Sequence, residues 1–249
     1  MSFVSDARQN IWAFWLKNIV EWKDHLMHLL YPEFCVCCQE ELSRFEKACC
    51  QLCISELKYT CFEQLDGETD LDRLFWGRIP LEKTYALLYF EQDSTTQQII
   101  HAIKYQGKFD LAKMMGDMIA KRLLDKRASL MEIDAIVPVP LHPRKRFLRG
   151  YNQSEYLARG LGERLGIPVR PELLKRKEHA KSQTKVSRLM RWENIERAFV
   201  PHQDVLQVNH LILIDDVVTT GSTIEACVRE LQKLNPKLKV SVYSLAVTK

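Results

Sequence analysis

Beyond Phe75 the apolar positions switch repeatedly between continuous strand-like runs and a three-and-four helical spacing. Thr84–Phe90 is β-branched and aromatic and predicts a strand. Helices are expected over Ser94–Tyr105 and Phe109–Leu124, with Gln106 and Gly107 as the break between them. Ile133–Val139 is a short apolar run punctuated by Pro138 and Pro140. A helix over Gln153–Leu165 ends at Gly166, and His210–Ile214 has the unbroken apolar character of a buried strand. Thr223–Leu234 predicts a further helix and Lys239–Val247 a last strand. Strands alternating with helices imply an α/β fold, a parallel sheet covered by helices. No internal repeat or low-complexity tract interrupts this part of the chain.

Upstream the pattern differs. Asn10–Leu30 places Ile11, Trp15, Ile19, Trp22, Leu26 and Leu29 on one helical stripe, expected to pack on the protein itself, and Tyr31-Pro32 ends it. A cysteine-rich stretch follows from Cys35 to Cys61, and then an acidic one (Glu63, Asp66, Glu68, Asp70, Asp72, with Gly67) that reads as a linker. The expected organisation is an N-terminal amphipathic helix (1–33), a small cysteine module (34–62) and an α/β domain (75–249).

The chain has 249 residues, 46% hydrophobic and 27% charged, the balance of a globular protein rather than a disordered one. There is no uncharged apolar run of about eighteen residues, so no bilayer span is expected. The first residues lack the basic start and apolar core of a signal peptide, which makes a cytoplasmic location the default. In that reducing compartment the eight cysteines are not expected to pair as disulfides. The net charge of +4 is unevenly spread: between His142 and Arg191 stand 14 Lys and Arg against 4 Asp and Glu. Such a segment suits a polyanion, although a solvated loop and helix face would look the same.

Cys35-x-x-Cys38 and Cys50-x-x-Cys53 form two knuckles separated by eleven residues. Four thiolates so spaced match the tetrahedral preference of structural zinc and leave no open position for catalysis. Cys49 could stand in for Cys50 as the third ligand, while Cys37 and Cys61 are surplus. Cys227, inside a helix, reads as a buried apolar side chain.

The most informative stretch is LILIDDVVTTGST, from Leu211 to Thr223. A buried strand leads to two adjacent carboxylates, Asp215 and Asp216, at the end where open α/β sheets bind ligands. Gly221 permits a tight turn, and the amides of Thr220 to Thr223 open onto a helix N-terminus whose partial charge favours a phosphate. Acids do not belong in a bare phosphate cradle. They fit a ligand that also carries vicinal hydroxyls, with or without Mg2+, which describes a phosphorylated sugar.

This stretch resembles the loop that binds 5-phosphoribosyl-1-pyrophosphate (PRPP) in the type I phosphoribosyltransferases. IVPVPLH (136–142), RGYNQ (149–153), IHAIKYQG (100–107) and the four-cysteine module are similar to segments of the competence protein F family, in the family's order. The resemblance implies a type I phosphoribosyltransferase-like fold with a small N-terminal zinc module. It implies that Asp215 and Asp216 hold the ribose hydroxyls, that Thr219, Thr220, Gly221, Ser222 and Thr223 hold the 5′-phosphate, and that Val217 and Val218 belong to the same PRPP-binding stretch. By the same resemblance His142, Arg144, Lys145 and Arg146 form a pyrophosphate loop, and Lys181 to Arg191 takes the place of a mobile lid. Enzymes that salvage 6-oxopurines carry an aspartate where Thr219 stands, so hypoxanthine or guanine salvage is not expected. His101, Lys104 and Lys108 are lesser phosphate candidates, and Arg188, Arg191 and Trp192 offer stacking with charge.

Two functions follow from the resemblance. One is Mg2+-dependent phosphoribosyl transfer to an unidentified acceptor, linked to DNA uptake or utilisation. The alternative is a non-catalytic competence factor in which the zinc module and basic segment hold single-stranded DNA and the PRPP site is a sensor or relic.

Overall fold

The computed structural model describes residues 32–65, 67–125, 132–177 and 198–248. The expected helix over Asn10–Leu30 and the lid segment with Arg188, Arg191 and Trp192 lie outside them. The chain divides into two compact units, Met1–Ser55 and Glu56–Lys249.

Among the described residues of the first unit the buried side chains are mostly thiols: Cys35, Cys49, Cys50 and Cys53, joined by Val36 and Leu42. Thiols gathered in this way are a common means of ordering a short segment through a bound metal. The backbone turns tightly around the sulfurs. Cys35 N donates to Glu40 O at 2.9 Å, Gln39 N to Cys35 O at 3.0 Å, and Gln39 takes a left-handed φ of 63°. Helix α1, Gln51–Ser55, carries Cys53.

The second unit is built on a four-stranded, all-parallel sheet. Its strands are β1 (Thr84–Phe90), β2 (Ala135–Pro138), β5 (His210–Val218) and β6 (Lys239–Thr248), in the order β1-β6-β5-β2. Leu211 to Ile214 and Val242 to Ala246 are almost wholly buried, as expected of central strands of a covered parallel sheet. Helices α3 (Thr95–Tyr105), α4 (Phe109–Asp125), α6 (Gln153–Leu165) and α7 (Ser222–Leu234) supply the covering layers. Helix α6 packs on β2 and β5, and α4 packs on α6. At Gly116 an added Cβ would lie 2.1 Å from Leu157 O, and at Gly160 1.9 Å from Lys113 O, so glycine lets these two backbones meet. Strands β3 (Leu174–Arg176) and β4 (Phe199–Pro201) pair antiparallel outside the main sheet.

Three expectations need correction. Strand β5 runs on to Val218, so Asp215 and Asp216 lie within it rather than after it. Strand β2 stops at Pro138, opposite Ile214, while β6 stays paired with β5 to Val218. The acidic stretch is not a linker. Asp70–Phe75 is helix α2, opened by a capping box in which Thr69 and Asp72 satisfy each other's backbone amides. Residues 56–62 belong to the larger unit, where Thr60 N donates to Leu87 O at 3.1 Å and Tyr89 N to Lys58 O at 2.9 Å.

Candidate functional site

The site grows from the last third of β5. The Asp215 carboxylate accepts the Ser154 hydroxyl at 2.9 Å and the Asp216 amide at 2.9 Å, both on Oδ1. Asp216 Oδ1 accepts the Val217 amide at 2.7 Å, and its Oδ2 lies 3.1 Å from Lys104 Nζ. Lys104, a lesser candidate in the sequence, is therefore the cation that faces the acid pair from α3. Burial first, and then the neighbouring Asp216 charge, push the Asp215 carboxyl up to about 7. The Asp216 amide, the Ser154 hydroxyl and Lys104 pull the other way.

This shift carries a stability consequence. A carboxyl whose folded pKa lies above its unfolded value of about 3.9 holds its proton more tightly in the folded chain. Folding stability therefore falls as pH rises from about 4 to about 7. Asparagine at Asp215 keeps an oxygen for both accepted hydrogen bonds. Asp215→Asn should melt higher than wild type above pH ~7, and the difference should shrink as pH falls toward ~4. A difference that does not change with pH would contradict the assignment.

After β5 the chain turns through Thr219 and Thr220 to Gly221, whose φ of 72° is left-handed, and enters α7 at Ser222. Asp215 and the loop from Val217 to Ile224 line a cup of about 40 Å³, of the size a water or phosphate oxygen needs. Thr220 Oγ1 and Ser222 Oγ are 3.0 Å apart at its rim. The loop is braced from behind. Arg78 donates to Thr220 O at 2.9 Å and to Glu225 Oε2 at 2.6 Å, and Arg229 holds the other Glu225 oxygen at 2.8 Å. Burial opposes ionisation of Glu225, but its bonds to Arg229 and Arg78 outweigh it and lower the pKa. A Cβ at Gly221 would come within 2.6 Å of the Phe75 ring. Phe75 and Arg78 thus shape the loop, although nothing local in the sequence marked them.

The stretch expected as a pyrophosphate loop is helical. Pro143–Arg149 forms helix α5, N-capped by His142, whose Nδ1 accepts the Arg144 amide at 3.2 Å, and closed by Gly150 in the left-handed region. Proline at the first helical position and glycine after the last explain the helix. Arg144, Lys145 and Arg146 are exposed on it. Lys145 shares a cleft of about 390 Å³ with Lys104, Tyr105 and Arg149. Arg146 lines a second, of about 500 Å³, with Asn152, Glu155 and Arg176. Asn152 Nδ2 donates to Val139 O at 3.0 Å, which fixes the chain between β2 and α6. The structure brings Lys145 into one cleft with Lys104, the residue that pairs with Asp216.

In the first unit the Sγ atoms of Cys35, Cys38, Cys50 and Cys53 all lie within 4.8 Å of one another, and Cys38 and Cys50 are 3.7 Å apart. Sulfurs of a tetrahedral zinc site, with Zn–S of about 2.3 Å, stand about 3.8 Å apart, so the set fits a metal ion. Cys50 falls in this set of four, and Cys49 in a separate set of three with Cys35 and Cys37. Burial disfavours a thiolate at Cys35, but amide donors from Cys38, Cys50 and Cys37 prevail and bring it down to about 6.

Several named proteins resemble this chain in sequence. Competence protein F of Haemophilus influenzae is 28% identical over 224 residues, spanning 88% of this chain and 93% of that protein. Competence protein ComFC of Streptococcus pneumoniae is 26% identical over 223 residues, 88% of this chain and 91% of its own. The chain is a homologue of the competence F proteins. The DNA utilization protein YhgH of Salmonella typhimurium is 32% identical over 152 residues, 60% of this chain and 66% of that one. No protein-family model matches. Among solved structures, the glutamine PRPP amidotransferase of B. subtilis aligns over 58% of this chain and 30% of its own, at 18% identity and a TM-score of 0.40. Adenine phosphoribosyltransferase of Leishmania tarentolae aligns over 74% and 89%, at 15% identity and 0.29. Those overlaps are loose, and the family assignment rests on the sequence relatives. The parallel sheet flanked by helices, with a cysteine cluster near the N-terminus, is the architecture expected of a competence F protein. No helix among the described residues is long and apolar enough to cross a membrane.

Proposed function

We propose that this competence F homologue binds PRPP, or a close phosphoribosyl relative, between β5 and α7, and transfers the phosphoribosyl group to an acceptor whose identity stays open. The observation that carries this reading is the acid pair of β5, held by Ser154 and Lys104 and followed directly by a small cup, with room for a phosphate oxygen, at the start of α7. Asp215 and Asp216 accept the ribose hydroxyls. Backbone amides and hydroxyls from Thr219 to Thr223 hold the 5′-phosphate at the helix N-terminus. Lys104 and Lys145 face the cleft where charge grows on departing pyrophosphate, and fixed cations there lower the barrier. Mg2+ suits the same place, since it binds through one or two carboxylates together with substrate phosphates and neutralises their charge. The ion held by Cys35, Cys38, Cys50 and Cys53 is structural zinc in this account.

A second reading is favoured by α5 itself: Arg144, Lys145, Arg146 and Arg149 surround Phe147, which is 88% exposed. Cations interleaved with an exposed ring suit single-stranded DNA, and DNA utilization is in the name of the YhgH relatives. Calorimetric titration separates the two. With PRPP and Mg2+ the account expects one ligand per chain, lost in Lys104→Glu. With a single-stranded oligonucleotide, the DNA reading expects affinity to fall with salt at a slope near −0.7 per phosphate contacted, and to weaken in Arg144→Glu/Lys145→Glu. Salt-independent oligonucleotide binding would end the DNA role, and absence of PRPP heat at any concentration would end the transferase reading.

A further inference from the structure

When Cys35, Cys38, Cys50 and Cys53 take one ion, Cys37 and Cys49 remain. They are not scattered. Cys49 Sγ stands 3.6 Å from Cys37 Sγ and 4.0 Å from Cys35 Sγ, and the three sulfurs all lie within 4.8 Å of one another. Three thiolates arranged trigonally around an ion at about 2.3 Å stand about 4.0 Å apart. The backbone sets this spacing. Lys47 and Cys49 form an isolated bridge, Val36 N donates to Ala48 O at 2.8 Å, and Ala48 adopts a φ of 61°, which a residue with a side chain rarely takes. Cys49 is buried at 4% exposure and Cys37 is half-buried, so the trio is enclosed on one side and reachable from the other.

We propose that Cys37, Cys49 and a shared Cys35 form a second thiolate site for a thiophilic cation, with the Cys35 sulfur bridging it to the first ion. This inference rests on the first site being a metal centre. A thiolate has lone pairs enough for two ions. Four thiolates on one divalent ion carry a net charge of −2, and six on two divalent ions carry the same, so a divalent second ion adds no net charge, whereas a monovalent one adds a single negative charge. Each thiol binds as thiolate and releases its proton to water. Two ions share the required chemistry: Zn2+, completing its shell with water, and Cu+, which thiolates also select.

The test uses the full chain, reduced and freed of metal under anaerobic conditions, then titrated separately with Zn2+ and Cu+. Ions bound per chain are counted by native mass spectrometry. Two ions per chain are expected, falling to one in Cys37→Ala/Cys49→Ala. Filling by Cu+ but not Zn2+ would support the site and identify the ion. One ion at saturation overturns the second site alone, whereas none overturns the first as well. A Cys37–Cys49 disulfide, seen as a loss of two hydrogens with no second ion, also overturns it. Should the variant fail to fold, cadmium NMR of the wild type decides. Two cadmium resonances coupled through a shared sulfur are expected, and a single resonance contradicts the bridge.

Discussion

Asp215→Asn/Asp216→Asn should lose the thermal stabilisation that PRPP and Mg2+ give the wild-type chain. A ligand that binds only the folded state, at 100 times its dissociation constant, adds about 2.7 kcal/mol. In a chain of this size that raises the melting midpoint by about 5–10 °C. The double variant removes both negative charges that would hold the ribose hydroxyls and Mg2+, while asparagine preserves the shape of β5 and most of its local hydrogen bonds. Its midpoint without ligand should therefore stay close to wild type, or rise above pH ~7 for the reason given by the raised Asp215 pKa. The expected result is a ligand-induced shift in wild type and none in the variant. Equal shifts in both would separate the acid pair from the ligand.

The second large effect concerns the cysteine unit. Structural zinc in small domains contributes about 10–16 kcal/mol of apparent free energy, which there is folding energy. Among the described residues 32–55 the main buried groups are thiols, which gives bound metal a large share in holding this segment together. Chelation should expose the chain to trypsin at Arg44 and Lys47, both already at the surface, and cleavage should accelerate by orders of magnitude. Cys50→Ser should reproduce this without chelator. A digest indifferent to chelation would mean that the unit folds without metal.

The parts of this protein that could be read from its sequence are those whose cause is local. Strand β1 and helix α6 have the limits their apolar spacing predicts, because period and terminal caps settle them. The loop at Gly221 is legible for the same reason: strand, acids, glycine and helix follow one another along the chain. Strand β5 was underestimated because Asp215 and Asp216 break its apolar run, yet pairing with Ser244 to Val247 of β6 carries the strand through them. Tertiary pairing overrode local composition. Helix α5 was hidden by its charge, having no buried face to impose a period. The brace behind the loop was wholly illegible. Arg78 and Glu225 are 147 residues apart, and each alone looks like an ordinary surface charge. Lys104 was visible as a candidate, but only the fold places it 3.1 Å from Asp216. Choosing Cys50 over Cys49 likewise needed the sulfur positions, since adjacent residues in a knuckle are interchangeable on paper.

The central claim is that a phosphoribosyl ligand sits in the cup between β5 and α7. Phosphorus NMR of PRPP and Mg2+ titrated with the protein tests it most directly, because the 5′-phosphate and the pyrophosphate report separately. The account predicts that both signals shift or broaden at one ligand per chain, and that enlarging Gly221 to valine, against Phe75, abolishes the 5′-phosphate response first. Signals that stay unchanged at saturating protein would contradict it.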